Sequence, residues 1–259
     1  MPVLTSEALV LKTYKFGESS RVVVLLTRER GKLRAVAKGA RRPRSRYQSS
    51  LETLSEVRVG LYGRQGAELY RLGQCELLRS AFPVGGRSLE AALALSYFAE
   101  LIDAFAQEGE AEDAVYRLAL SVVRAAEDGV ASPPLTRYLE AWLLKLHGLY
   151  PPLDQCASCN RGLPVGELRY HGAARGFVCP DCGPGSGPVV PAAARDFLRE
   201  AFRRAPAALA GPFPAEAAVL EPFHQELIAQ HLERALKSQR VLRDVAREVQ
   251  GPGRGDPPG

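Results

Sequence analysis

The stretch RVVVLLTRERGKLRAVA (21–37) decides the reading of the first third of the chain. Two short runs rich in Val and Leu, Arg21–Thr27 and Lys32–Ala37, flank Arg28-Glu29-Arg30-Gly31. That connection reads as a hairpin, with Gly31 suited to the left-handed conformation it needs. The same pattern continues outward on both sides, in Glu7–Tyr14 (EALVLKTY), Glu56–Tyr62 (EVRVGLY) and Glu68–Leu77 (ELYRLGQCEL). Several of these runs alternate apolar with polar residues, the period of a sheet with one wet face. Gly17, Gly39, Gly63 and Gly66 punctuate them.

Five short strands within about eighty residues predict a small barrel, and the five-stranded Greek-key OB-fold is the leading candidate. From Ser88 the period becomes helical. Helices are expected from Leu89 to about Gln107, over Glu112–Ala126, and from Ser132, with Ser132 as N-cap and Pro133 at the first helical position. Gly148 and Pro151-Pro152 end the third of these. Ala192–Arg203 and Pro222–Val249 read as two further helices. The expected fold class is α+β and multi-domain: an OB barrel over 1–80, a helical domain in two parts (81–152 and 189–250), and a cysteine segment (153–188) inserted between them. The tail 251–259 (GPGRGDPPG) is too poor in apolar residues to build a core and is expected to be disordered. No internal repeat is found.

The cysteine segment carries the most specific signal. Cys156-Ala-Ser-Cys159 and Cys179-Pro-Asp-Cys182 form C-x2-C-x19-C-x2-C. Two residues between thiolates let a tight turn aim both sulfurs at one tetrahedral ion. Asn160 and Gly183, one after each pair, tolerate the backbone such turns need. Four thiolates fill the coordination sphere, so the pattern predicts one structural Zn2+ and no catalytic water. A redox pair would occur singly, at a helix N-terminus within a βαβ unit. Cys75, in an apolar stretch, reads as a small buried hydrophobe.

Charge carries the second signal. The whole chain has net charge +5 and a pI near 9.0. Residues 1–48 hold twelve basic residues against Glu7, Glu18 and Glu29, a local charge of +9. An excess this local suits a surface that follows phosphates. Its densest part is Lys38, Arg41, Arg42, Arg44 and Arg46, in a Gly- and Pro-containing connection that must be exposed. Lys12, Lys15, Lys32 and Arg34 are the secondary candidates for phosphate contact. Tyr14, Phe16 and Tyr47 are candidates for base stacking. Tyr14 and Phe16, two apart, share one face of their strand.

Negative observations narrow the function. There is no phosphate-binding P-loop, no dinucleotide fingerprint and no HExxH or HxE pattern among His147, His171, His224 and His231. His224 and His231 read as partly exposed helix residues. Acidic residues are scattered, with no paired site, so the chain is not expected to be an enzyme. The N-terminus lacks the pattern of a signal peptide, and no apolar run reaches membrane-spanning length. A cytoplasmic, nucleoid-associated protein with no membrane role is expected. The alternatives are a nucleic-acid modifying enzyme with a zinc ribbon, and a transcription regulator. The enzyme would need a carboxylate or histidine constellation. The regulator would need a basic recognition helix, whereas the cations here lie in the β-rich part.

The order barrel, basic loop, helices, four-cysteine segment, helices resembles the RecO family of bacterial DNA repair proteins. The resemblance is closest at AVAKGARRPRSR (35–46) and at LTRYLEAWLLKLHGLYPPLDQCASC (135–159), where Gly148, Tyr150, Pro151, Leu153 and Cys156 follow in the family's order. The family often has Gly after the first cysteine pair, where this chain has Asn160, and some members lack the cysteines. The resemblance implies a recombination mediator. It would bind single- and double-stranded DNA through the barrel and anneal complementary strands. It would contact single-strand-binding protein and, with RecR, help load RecA on coated gaps. Carried over to this sequence, the DNA-contacting loop would be Lys38, Arg41, Arg42, Arg44 and Arg46.

Overall fold

A computed structural model describes residues 4–47, 49–64, 66–183, 187–232, 236, 238 and 241. The predicted tail and most of the chain beyond Leu232, including the end of the helix expected to reach Val249, lie outside these residues. The fold divides into two compact units, Met1–Val123 with Leu236–Gly259, and Arg124–Ala235.

In the first unit, β1 (Leu4–Phe16), β2 (Ser20–Thr27), β3 (Gly31–Ala37), β4 (Glu56–Tyr62) and β5 (Tyr70–Arg79) close into a barrel in the order β1-β2-β3-β5-β4. All neighbours are antiparallel except β3 and β5. This is the predicted five-stranded OB barrel. Residues of one parity fill it: Ala8 and Val10, Val23 and Leu25, Leu33 and Ala35, Val57, Val59 and Leu61, Tyr70 and Leu72. The opposite parity is also buried on β1 and β2, at Leu9, Val22, Val24 and Leu26, and α2 (Leu89–Phe105) lies against β1. Ser88 caps α2 by accepting the Ala91 N–H at 3.1 Å. A short α1 (Phe82–Gly85), not anticipated from sequence, precedes it. α3 (Asp113–Glu127) follows.

Two details of the barrel matter for its surface. First, β1 carries a bulge between Val10 and Lys12. With unbroken alternation, Lys12 and Tyr14 would follow Ala8 and Val10 into the core. The extra residue reverses the parity, as bulges do, so Lys12, Tyr14 and Phe16 point outward. Second, β3 meets β5 only at Ala35–Tyr70 and Val36–Arg71. The remaining β3 edge is covered by the chain after α2: Lys32 N–H donates to the Gln107 carbonyl (3.1 Å) and Gly109 N–H to the Lys32 carbonyl (3.0 Å). An uncovered edge would leave these polar groups without partners. The close approach depends on Gly31, which has φ +59°; a Cβ there would stand 1.8 Å from the Glu110 carbonyl oxygen.

In the second unit, α4 (Ser132–Leu146), α5 (Ala192–Ala201) and α6 (Leu220–Leu232) accompany a small antiparallel sheet, β7-β6-β8. Its strands are β6 (Leu168–His171), β7 (Gly176–Val178) and β8 (Val189–Val190). α4 corrects the expected cap. The residue before the helix is Ala131, and Ser132 makes no side-chain cap. With Ser132 as cap, Pro134 would stand at the second helical position and removes one of the two N–H groups a capping serine accepts from, and the Ser132 carbonyl accepts from Thr136 Oγ1 at 2.7 Å. Gly148, at φ +69°, follows the helix end as expected.

His224 is a second correction. It is fully buried, not a partly exposed helix residue. Its Nδ1 lies 2.9 Å from Glu140 Oε2 and its Nε2 2.9 Å from Tyr150 Oη. Arg137 pairs with the other Glu140 oxygen at 3.1 Å. Burial pushes the imidazole below its ordinary value, and the Glu140 contact offsets that only in part.

Candidate nucleic-acid interface and candidate metal centre

The connection between β3 and β4 leaves the barrel as a series of tight turns. Arg42 N–H donates to the Gly39 carbonyl (3.1 Å) and Ser45 N–H to the Arg42 carbonyl (3.0 Å). Lys38, Arg41, Arg42, Arg44 and Arg46 are all exposed. Two contacts fix this loop beside the β1–β2 turn. Arg41 N–H donates to the Ser19 carbonyl at 2.9 Å, and Arg41 Nη1 to the Glu18 carbonyl at 2.8 Å. The loop therefore sits next to the tip that carries Tyr14, Lys15 and Phe16. Tyr14 and Phe16 are 44% and 48% exposed, unusual for aromatic rings of this size. Among the described residues, no carboxylate pairs with Lys15, Lys38, Arg42 or Arg44.

The other candidates are placed differently. Tyr47 belongs to the core: it is 2% exposed and its hydroxyl donates to the Leu72 carbonyl at 2.8 Å. Its ring is therefore no stacking platform. Arg46 spans its rim, donating to Tyr47 Oη at 2.8 Å. Lys12 of β1 and Lys32 and Arg34 of β3 lie on one face of the barrel and are all engaged. Lys12 and Lys32 pair with Asp103, and Arg34 with Glu108. The sequence carries the acids as well as the cations, but gives no local sign that the end of α2 returns to β3.

The four cysteines converge. Their sulfurs all lie within 4.8 Å of one another, and Cys159 Sγ is 3.8 Å from Cys179 Sγ. Four ligands at about 2.3 Å from a tetrahedral ion would have sulfurs about 3.8 Å apart, so the donor set fits such an ion. The first knuckle is closed by Asn160 N–H to the Cys156 carbonyl (2.9 Å), with Asn160 at φ +59°. The second is closed by Cys182 N–H to the Cys179 carbonyl (3.0 Å), with Gly183 at φ +138°. Burial raises the Cys156 thiol, but N–H groups of Cys179, Cys159 and Ser158 outweigh it and bring it to about 6. Hydrogen bonds with Cys159 and Cys179 push Cys182 up to about 12. Four thiolates at this spacing repel one another unless a cation lies between them.

The surroundings of this cluster are thin. Its apolar core is little more than Cys156, Val178 and Cys179. Two anchors hold it to the helices. The buried Arg195 of α5 donates to the carbonyls of Leu153 (2.8 Å), Gly166 (3.1 Å) and Pro164. The Phe223 ring of α6 meets Tyr170 and Phe177 of the sheet at centroid distances of 5.2 and 5.7 Å.

Comparison with known proteins agrees with this architecture. Residues 1–81 match the family model for the recombination protein O N-terminal domain, and residues 86–240 that for its C-terminal domain. The chain is 35% identical over 240 residues to the DNA repair protein RecO of Koribacter versatilis, covering 92% of this chain and 97% of that one. It is 34% identical over 246 residues to the RecO of Anaeromyxobacter sp. strain Fw109-5, covering 92% and 94%. To the RecO of Desulforudis audaxviator it is 38% identical over 177 residues, covering 68% and 69%. Among the described residues no helix is long and apolar enough to cross a membrane. A closed five-stranded barrel, a helical part with four converging cysteines, and matches across nearly the whole chain together make this protein a member of the RecO family of DNA repair proteins.

Proposed function

We propose that this chain is a non-catalytic mediator of recombinational repair that binds single- and double-stranded DNA through the β1–β2 tip and the 38–46 loop. One observation carries the reading: Lys38, Arg42 and Arg44 stand exposed, without carboxylate partners among the described residues, on a loop fixed beside the outward Tyr14 and Phe16. Guanidinium groups neutralise phosphates and release their counterions, which favours binding without regard to sequence. Exposed rings beside them suit unpaired bases. A cationic surface of this kind lowers the repulsion between two strands, so annealing needs no bond made or broken and no nucleotide.

The four cysteines hold one Zn2+, and its role is structural, because four thiolates leave no position for a water. The metal would fix the fold of the 153–188 segment. Single-strand-binding protein and RecR are the expected protein partners, and loading of RecA the expected outcome. The protein works in the cytoplasm, on the nucleoid. The division of labour follows the sequence domains: barrel for DNA, helical and zinc parts for proteins. The test is annealing of complementary strands coated with single-strand-binding protein, without nucleotide. The chain should accelerate it, and the triple variant Arg41→Ala, Arg42→Ala, Arg44→Ala should lose most of the acceleration. A folded triple variant that anneals like the parent would overturn the reading.

A further inference from the structure

The group Lys12, Lys32 and Arg34 owes its neutrality to one short stretch of chain. Asp103, near the end of α2, is 12% exposed and serves two lysines: Oδ2 accepts from Lys12 Nζ at 2.6 Å, and Oδ1 lies 3.6 Å from Lys32 Nζ. Lys32 Nζ also donates to the Asp103 carbonyl at 2.6 Å. Glu108 pairs with Arg34. The stretch is fixed in place, because Gln107 and Gly109 complete the β3 edge and Gly31 admits the Glu110 carbonyl. In strand register, Lys12, Val24 and Arg34 form one row across the sheet, and Tyr14, Val22 and Val36 the next, toward the loop. The barrel's outer face therefore changes character within one step. On the loop side are aromatic rings and cations without carboxylate partners among the described residues. On the other side the cations already have carboxylates where phosphates would go.

A phosphate entering the row would have to displace a carboxylate that is mostly buried and shared by two lysines. It would also meet the negative charge of Glu108. From this arrangement we infer that Asp103 and Glu108 fix the boundary of the DNA-binding surface, excluding the nucleic-acid backbone from Lys12, Lys32 and Arg34 and confining it to the loop end. This rests on the reading of the loop given above. Asp103 and Glu108 are specificity-determining residues that set site size and salt dependence without contacting the strand.

The test measures binding of the full chain to a thymidine oligonucleotide at several salt concentrations. Asp103→Asn with Glu108→Gln frees the exposed Lys12 and Arg34, while Lys32 keeps the Asp103 carbonyl. The slope of log K against log salt should steepen by about 1.4, at about 0.7 per added phosphate contact, and the number of nucleotides covered should rise. Glu108→Gln alone, at an exposed position, should steepen it by about 0.7. Glu167→Gln with Asp196→Asn, which removes acids paired to Arg169 and Arg199 in the other unit, should leave the slope and the site size unchanged. If folded Glu108→Gln keeps the parental slope, or if the control pair steepens it equally, the boundary does not exist. Failure of the loop reading is seen separately: the Arg41, Arg42, Arg44 triple variant would then bind with parental affinity and slope.

Discussion

The barrel and the cysteine segment are held together in opposite ways. The barrel closes on a continuous apolar interior drawn from all five strands, Ala8 and Val10 through Leu72. Burying such side chains contributes roughly 1.5–3 kcal/mol each. The cysteine segment buries only a few apolar side chains of its own, Leu153, Leu168, Tyr170, Phe177 and Val178 among the described residues, and its fold rests also on four sulfurs, on Arg195 and on the Phe223 ring. Each region is therefore vulnerable at a different kind of residue. Tyr47 and Leu51, from the connection that carries the charged loop, belong to the barrel interior, while the cations of that loop stand outside it.

Removing the sulfurs should have the largest effect. Cys156→Ser with Cys179→Ser should abolish stoichiometric zinc and destabilise the second unit strongly, since structural zinc contributes on the order of 10 kcal/mol in small domains. Elemental analysis and a melting curve check this. Barrel-borne DNA affinity should stay near normal, and its loss in a protein whose barrel remains folded would join two regions that are separated here.

A smaller effect should follow from Arg195→Ala. It leaves the carbonyls of Leu153, Pro164 and Gly166 without their buried donor, at a cost on the order of 3 kcal/mol. Leu25→Ala in the barrel should cost a similar amount, within roughly 2–5 kcal/mol, through its cavity. Under limited proteolysis the first variant should open the cysteine segment and the second the barrel. The reverse pattern would sink the distinction.

Acid sharpens the comparison further. His224 has a folded pKa below its unfolded value. The unfolded chain therefore takes up the proton first, and stability is lost as pH falls through about 6.5. The groups facing it are Glu140, Tyr150 and Arg137. His224→Gln should lose less stability than the parent between neutral pH and pH 5 in thermal melts. An equal loss would mean that the acid sensitivity lies elsewhere, as in protonation of the thiolates.

How much of this was legible in the sequence follows from how local each signal is. The strands are legible because alternation of Val and Leu is a property of seven residues, and the cysteine pairs because both knuckles are four-residue patterns. The bulge at Val10–Lys12 is not, although it alone turns Lys12, Tyr14 and Phe16 outward. Tyr47 stands amid arginines, and nothing beside it signals that the loop returns to the core at Leu72. His224 finds Glu140 across 84 positions. Lys32 finds Asp103 across 71. A charge count over residues 1–48 sees twelve cations and misses that three of them are matched by acids contributed from α2 and the chain just after it. The strands β6, β7 and β8 are only two to four residues long, too short for any period to declare itself.

On the function proposed above, the 38–46 loop contacts DNA phosphates. The direct measurement is the salt dependence of binding by the triple variant Arg41→Ala, Arg42→Ala, Arg44→Ala. Affinity should fall by about 1–3 kcal/mol, discounted for the exposure of these side chains. The slope of log K against log salt should flatten by about 0.7 per lost contact on a single strand and about 0.9 on duplex. Melting temperature and zinc content should match the parent. A folded triple variant with the parental affinity and the parental slope would contradict the account.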